Sequence, residues 1–474
     1  MQMNLHVRKW FVIGIILLFI GMSIIPAIAQ DKEKITISFI QQRDGTVEQS
    51  LHDNPNKTQL QPHVVVALID NAIDIYHPIF RRENLIYPPS TYIEGFPDTA
   101  TAVNITFDDV GGYWSSIEKD SRIWERLTTK TLYWFPHTNI IGITFRDFRG
   151  SNESPLLPGP WHGTATSSII AMKCPNATIV FIQANSSSLV EAFSWAVNQS
   201  WIDIILPEFA TRNNTPRTEW NEIPNISKNA VEKGKIIITP AGNSARKISF
   251  FSNICGMPWV ISVGGVESYS HGASIFVSRN ADYVSNYTEM AAHVPKPPNE
   301  WNLFNETYRN CSGTSASSVV VVATFASIVF KLREKFNYTH GIINGSLIDI
   351  PEKSIKVTNA DVRDAVNHTA LYWKTSDWSP GHWPYWKDPM WKNLFSHPIS
   401  WLFFPIFLEM RFYTITRPIN SFVPWLQMGW GFVDNSIVNT TVKILIGEQE
   451  IPKKPNGAVQ YMNFLIHLRT KIWT

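Results

Sequence analysis

Three cysteines in a chain of 474 residues are too few for a disulfide scaffold. Charge is scarce too: Asp, Glu, Lys and Arg make up 17%, and 41 basic against 39 acidic side chains leave a formal net charge of +2. Such a balance lacks the basic stripe of a nucleic-acid binder and the charge excess of a disordered chain. No internal repeat or low-complexity tract interrupts the sequence. Beyond the N-terminus no apolar run competes for a membrane span, since residues 399–408 are far too few to cross a bilayer. What is plentiful is core and turn material: 44% hydrophobic residues, 19 Trp, 30 Pro and 24 Gly. Composition thus gives a globular protein, and no activity.

The first 29 residues read as an export signal. His6, Arg8 and Lys9 form a basic leader, residues 10–25 an apolar stretch, and Ala27 and Ala29 an A-x-A cleavage site. An uncleaved anchor is the rival reading, but about 16 apolar residues are short for a span. N-x-[ST] sequons number about fifteen against roughly five expected by chance, among them Asn56, Asn104, Asn176, Asn185, Asn225, Asn286, Asn305, Asn337, Asn344, Asn367 and Asn439. The excess favours a secreted, glycosylated protein. In an oxidising compartment two of Cys174, Cys255 and Cys311 could pair, leaving one free.

Residues 62–445 alternate β-branched runs with helical stretches, as βαβ units do. Strands are expected at 64–69, 179–182, 202–206, 236–239 and 260–263, and helices at 162–172, 189–199, 225–233 and 314–335. Together they predict an α/β fold: a doubly wound, mainly parallel sheet with helices on both faces. Residues 81–160 and the Trp- and Pro-rich stretch 373–430 break the rhythm and read as loop-rich insertions. Residues 30–61 read as a short N-terminal extension and 446–474 as a C-terminal one.

Four short motifs carry chemistry, in one order. Asp70 ends a buried strand, where open α/β sheets gather ligand groups. His162-Gly163-Thr164 opens an apolar helix, Ala241-Gly242-Asn243-Ser244 follows another strand, and Gly313-Thr314-Ser315-Ala316 starts a long apolar helix. Singly, each reads as a cap or a turn. Jointly they hold what acyl transfer needs. Ser315 is a nucleophile and His162 the base that takes its proton. Asp70 is the carboxylate that fixes the imidazole tautomer. The Asn243 amide and the Ser315 N–H are donors for a developing oxyanion.

In these blocks and their order the sequence resembles the subtilisin-like serine proteases, the subtilases. Supporting likenesses are Pro258-Trp259-Val260-Ile261-Ser262-Val263-Gly264-Gly265, Thr358-Asn359-Ala360-Asp361-Val362-Arg363 and Gly429-Trp430-Gly431-Phe432-Val433. The resemblance implies a serine endopeptidase acting on polypeptides through an acyl-enzyme, with no cofactor for catalysis. The competing reading is a catalytically idle glycoprotein of the same fold, acting as a binding or surface protein. An esterase or amidase is disfavoured, since no Gly-x-Ser-x-Gly elbow surrounds Ser315. Subtilases often bind calcium, but Asp74, Asp108, Asp109, Asp120 and Asp147 lack the spacing of a calcium loop, and no site is assigned.

The chain departs from the family pattern at several points. Asn71-Ala72 replaces Thr/Ser-Gly after the aspartate, Ala165 stands where a second His is usual, and Ser317-Ser318-Val319 follows the serine. Leu206-Pro207-Glu208-Phe209-Ala210 stands where the family has a Ser-Leu-Gly strand lining the substrate cleft. Glu208 there could favour a basic side chain of the substrate, but an outward, solvated carboxylate is the cheaper arrangement.

About 33 residues separate Gln30 from His63, too few for an independent folding-assistant domain. Deleting residues 31–55 is therefore expected to leave a protein that folds. A cooperative thermal transition in the purified deletion checks this, and uniformly misfolded material would contradict it.

Overall fold

The computed structural model describes residues 60–146, 162–209, 221–243, 254–266, 281–293, 308–371, 429–454 and 456–473. The N-terminal signal, the extension up to residue 59 and nearly all of the Trp-rich stretch lie outside the described residues.

The middle of the fold is β1 (Val64–Asp70), seven residues without a polar side chain before the last, all buried. A run apolar on both faces is what a strand covered on both sides requires. It pairs in parallel with β5 (Ala177–Gln183) on one side and β6 (Ile204–Pro207) on the other. Beyond β6 lie β7 (Ile236–Pro240), β8 (Ile261–Val266) and β9 (Tyr283–Asn286), again parallel. All five strands expected from the β-branched runs are present.

The other half of the sheet differs from the expectation. Residues 81–146, read as part of an insertion, supply β2 (Thr101–Ala102), β3 (Tyr133–Trp134) and β4 (Ile140–Thr144). The sheet order is β2-β3-β4-β5-β1-β6-β7-β8-β9, with β3 antiparallel to β4 and β4 parallel to β5. Two of these strands have two residues each, too few for a period to register, and turn-forming residues surround β4. The same segment holds two short helices, α1 (Gly112–Lys119) and α2 (Ser121–Trp124).

Helices cover both faces. Val64, Val66 and Leu68 of β1 share a core with Ile169 and Ile170 of α3 (His162–Lys173) and Val319 and Val322 of α6 (Thr314–Phe336). The alternate residues Val65, Ala67 and Ile69 meet Leu189 and Phe193 of α4 (Leu189–Asn198) and Ala230 of α5 (Ile223–Glu232). The period of two along the strand thus divides the core into two layers. Helix α6 is long and apolar enough to cross a membrane, yet its valines are buried against the sheet. All three cysteines are buried free thiols, so the pairing considered from the sequence is not made.

Two buried ion pairs fasten the periphery. Arg333 of α6 grips Asp203, just before β6, through Nη1–Oδ2 at 2.9 Å and Nη2–Oδ1 at 2.7 Å; neither side chain is exposed. Asp203 also accepts the Val65 N–H at 2.9 Å, and Arg333 donates to the His63 carbonyl at 2.7 Å. After α7 (Asn359–Thr369) and α8 (Val438–Leu445), the C-terminal extension forms α9 (Asn456–Trp473). Arg469 of α9 is fully buried and reaches both oxygens of Asp282 at 3.1 Å. Residues 456–473 are therefore part of the packed body rather than an appendage.

Removing one partner of a buried pair leaves a bare charge, which typically costs about 3–5 kcal/mol, whereas replacing both by apolar groups is often neutral. Arg333→Met is accordingly expected to lower the urea midpoint steeply. The double variant Arg333→Met/Asp203→Leu should recover part of the loss, which a denaturation series on both proteins will measure.

Candidate active site

The parallel strands bring their carboxyl ends to one edge, and the four motifs collect there. Asp70 is the last residue of β1, and its side chain is 4% exposed. Oδ1 accepts the Asn71 N–H at 2.7 Å, and Oδ2 accepts the Thr166 hydroxyl at 3.0 Å. Oδ2 also meets Nδ1 of His162 at 2.7 Å. A carboxylate so held places the proton on Nδ1 and leaves Nε2 as the basic nitrogen.

His162 is the first residue of α3, and its neighbours explain how it reaches Asp70. A Cβ at Gly163 would lie 2.1 Å from the Ala72 carbonyl and 2.8 Å from the Phe181 ring; only glycine lets the helix start this close to β1 and β5. Thr164 accepts the Asp74 N–H at 2.8 Å, tying the loop after β1 to the same turn. Thr166, one helical turn after His162, holds the carboxylate. Sequence reasoning missed it, because a threonine one turn on from a histidine signals nothing until the helix is seen against the strand.

Asn243 follows β7. Its Oδ1 accepts from the Thr314 N–H at 2.8 Å and the Thr314 hydroxyl at 3.1 Å, which orients Nδ2 as the outward donor. A Cβ on Gly313 would stand 3.1 Å from that Nδ2. Gly313 has φ +133°, a conformation that side-chain-bearing residues rarely adopt. Ser315 is the second residue of α6, so its N–H has no acceptor within the helix and sits at the positive end of the helix dipole. Thr314, which fixes the amide, was a further residue that the motif alone did not single out.

Glu208 departs most from expectation. Instead of pointing outward, its carboxylate turns inward, and the Ser318 hydroxyl of α6 lies 2.6 Å from Oε1. Oε2 is shielded from solvent. The backbone N–H of Glu208 donates to the Ile69 carbonyl at 3.0 Å, which seats it beside Asp70. Burial pushes its carboxyl up, helped by the Asp70 charge and opposed by His162 and by the Ser318 and Ser315 hydroxyls. Burial disfavours the charged His162 imidazole, but the Asp70 hydrogen bond and the charges of Asp70 and Glu208 outweigh it and bring the group to about 9. Glu208 thus stands in the electrostatic reach of both Ser315 and His162.

No group of three or more potential metal ligands occurs among the described residues. Asp108 is paired with Lys119 at 2.5 Å and Asp109 with Arg81 at 2.5 Å. Asp120 accepts from Tyr76 and Thr106, and buried Asp74 accepts the Tyr76 N–H at 3.0 Å. These engagements do not fit a calcium site; Asp147 lies outside the described residues.

The subtilase family model matches residues 61–396, and the chain belongs to that family. Its fold is accordingly that of a serine protease. No curated protein matches the sequence. Similar solved structures include a lanthipeptide protease at 15% identity, covering 80% of this chain and 88% of the other with a TM-score of 0.45. The epidermin leader peptide processing serine protease from Staphylococcus aureus is 12% identical, covers 82% and 77%, and has a TM-score of 0.42. Sphericase is 13% identical, covers 59% and 82%, and has a TM-score of 0.34.

Gly163→Ala is expected to misplace His162 before it disturbs the rest of the core, because the clash falls on backbone. Overpacking of this kind costs typically about 1–3 kcal/mol. The expected result is a melting temperature several degrees lower, with loss of the His162–Asp70 hydrogen bond in the imidazole NMR spectrum.

Proposed function

We propose that the protein is a secreted serine endopeptidase that cleaves polypeptides through an acyl-enzyme. The observation that carries this reading is the 2.7 Å bond from His162 to a buried, doubly supported Asp70, beside a helix start that bears Ser315 and adjoins the Asn243 amide. His162 Nε2 takes the Ser315 proton as Oγ attacks the peptide carbonyl. Asp70 stabilises the imidazolium that forms. The oxyanion receives hydrogen bonds from Asn243 Nδ2 and the Ser315 N–H. His162 then protonates the leaving amine, and water, deprotonated by the same imidazole, releases the acyl group.

Export and glycosylation belong to the same proposal. Asn104, Asn176, Asn225, Asn337, Asn344 and Asn439 are exposed, as glycan acceptors must be. Asn367 is buried and accepts the Tyr283 hydroxyl at 2.6 Å, so that sequon is excluded from modification in the folded state.

Fluorophosphonate labelling tests the reading directly. Wild type should label at Ser315, while Ser315→Ala and His162→Ala should not. Asn243→Ala should lower peptide turnover by about 10²–10³. A folded wild-type protein that fails to label over the full pH range would overturn the proposal in favour of an idle triad.

A further inference from the structure

The side chain that the acyl-transfer scheme leaves unused is Glu208. Its position is built rather than incidental: the β6 backbone seats it against Ile69, and Ser318 meets Oε1 at 2.6 Å. Ser318 lies three residues after Ser315, hence on the same side of α6. Its hydroxyl is also 2.8 Å from the Ser315 carbonyl. A hydroxyl has one proton and can also accept. Facing an ionised Glu208, Ser318 donates to Oε1. Facing a protonated Glu208, it accepts from the acid and donates to the Ser315 carbonyl instead. Both charge states of Glu208 are therefore accommodated without moving a heavy atom.

We propose that Glu208 is a positioning residue of the catalytic machinery, a second inward carboxylate beside Asp70 whose charge holds His162 as imidazolium and so raises the pH below which Ser315 loses its base. The inference rests on the acyl-transfer reading of the site. Three titratable groups stand in the electrostatic reach of Glu208 there: Asp70 from β1, His162 from α3, and Cys311 from β10 (Tyr308–Ser312). Burial, together with the charges of Glu208 and Asp70, pushes the Cys311 thiol to about 12, so it stays neutral. One imidazole then stands against two carboxylates. With His162 protonated, Asp70 and Glu208 share a counter-ion, and each of them favours the imidazolium.

The signs follow from this. Removing the Glu208 charge removes an anion that favours imidazolium, so His162 should titrate lower, and Ser315 should be activated at lower pH. Glu208→Gln keeps the size and an acceptor for Ser318 while abolishing the titration. Two readouts are needed. The first is the titration of His162 by NMR on protein labelled at histidine, assigned with His162→Gln; it reports whether or not the enzyme is active. The second is the rate of fluorophosphonate labelling of Ser315 against pH.

The expected result is a His162 midpoint lower by about one pH unit in Glu208→Gln, and labelling at pH 6 about tenfold faster than in wild type, one unit being a factor of ten. A role confined to packing would change rates at all pH values alike and leave the midpoint in place. Coincident His162 titrations in the two proteins overturn the inference, even if both label. A shifted titration in proteins that never label upholds the role of Glu208 and overturns the protease reading instead.

Discussion

Everything at the site depends on the immobility of β1. Hydrogen-bonded to β5 and β6 along its edges and covered by helices on both faces, this strand has no free side. Its last residue is an aspartate, and the place where it stops is the place where chemistry can begin. In a parallel sheet all carboxyl ends lie at one edge, so Glu208 beyond β6 and Asn243 beyond β7 arrive beside Asp70 without any long-range coordination. The helices do the converse. α3 and α6 begin at that edge, and their first turns carry His162 and Ser315 with backbone N–H groups still free of helical partners.

The small residues at these starts are needed for the close approach. Gly163 lets α3 come within reach of the β1–β5 pair, and Gly313 turns the chain through a conformation that brings α6 against Asn243. Around them a set of hydroxyls does the orienting. Thr166 holds Asp70, Thr164 holds the loop after it, Thr314 holds Asn243, and Ser318 meets Glu208. Between them these hydroxyls bond groups at the ends of β1, β6 and β7, so the two helices act as templates on which the strand ends are aligned. Accuracy of this kind is what proximity effects require, since misplacement of a reacting group by an ångström is expensive.

The division between what could be read in the sequence and what could not has a physical basis. Long runs with one period, such as β1 and α6, announce themselves because many residues agree. The four motif residues were legible because their order constrains them jointly. The strands at 101–144 were not: two are dipeptides, and the third sits among prolines, glycines and aromatics that look like loops. Nor were Thr166, Thr314 and Ser318 evident, since a hydroxyl within an apolar helix looks the same whether it bonds its own backbone or a partner from another strand. Glu208 inverted its expectation because solvation alone was weighed. A carboxylate can point inward where a serine meets it and a neighbouring imidazole balances its charge.

That inward turn sets stability and reactivity against each other. His162 titrates near 9, above the ordinary value near 6.5, so its charged form is favoured by folding. The stabilisation is fully present below about 6.5 and is lost as the pH rises through the folded value. The base that Ser315 needs is the neutral form, which gains population over that same interval. A single carboxylate opposite the imidazole gives ordinary triad chemistry. A second one deepens the hold on the imidazolium and moves the onset of reactivity upward. Ser318 holds that second carboxylate inward, which is why the serine after the nucleophile turn and the glutamate beyond β6 are best understood as one device.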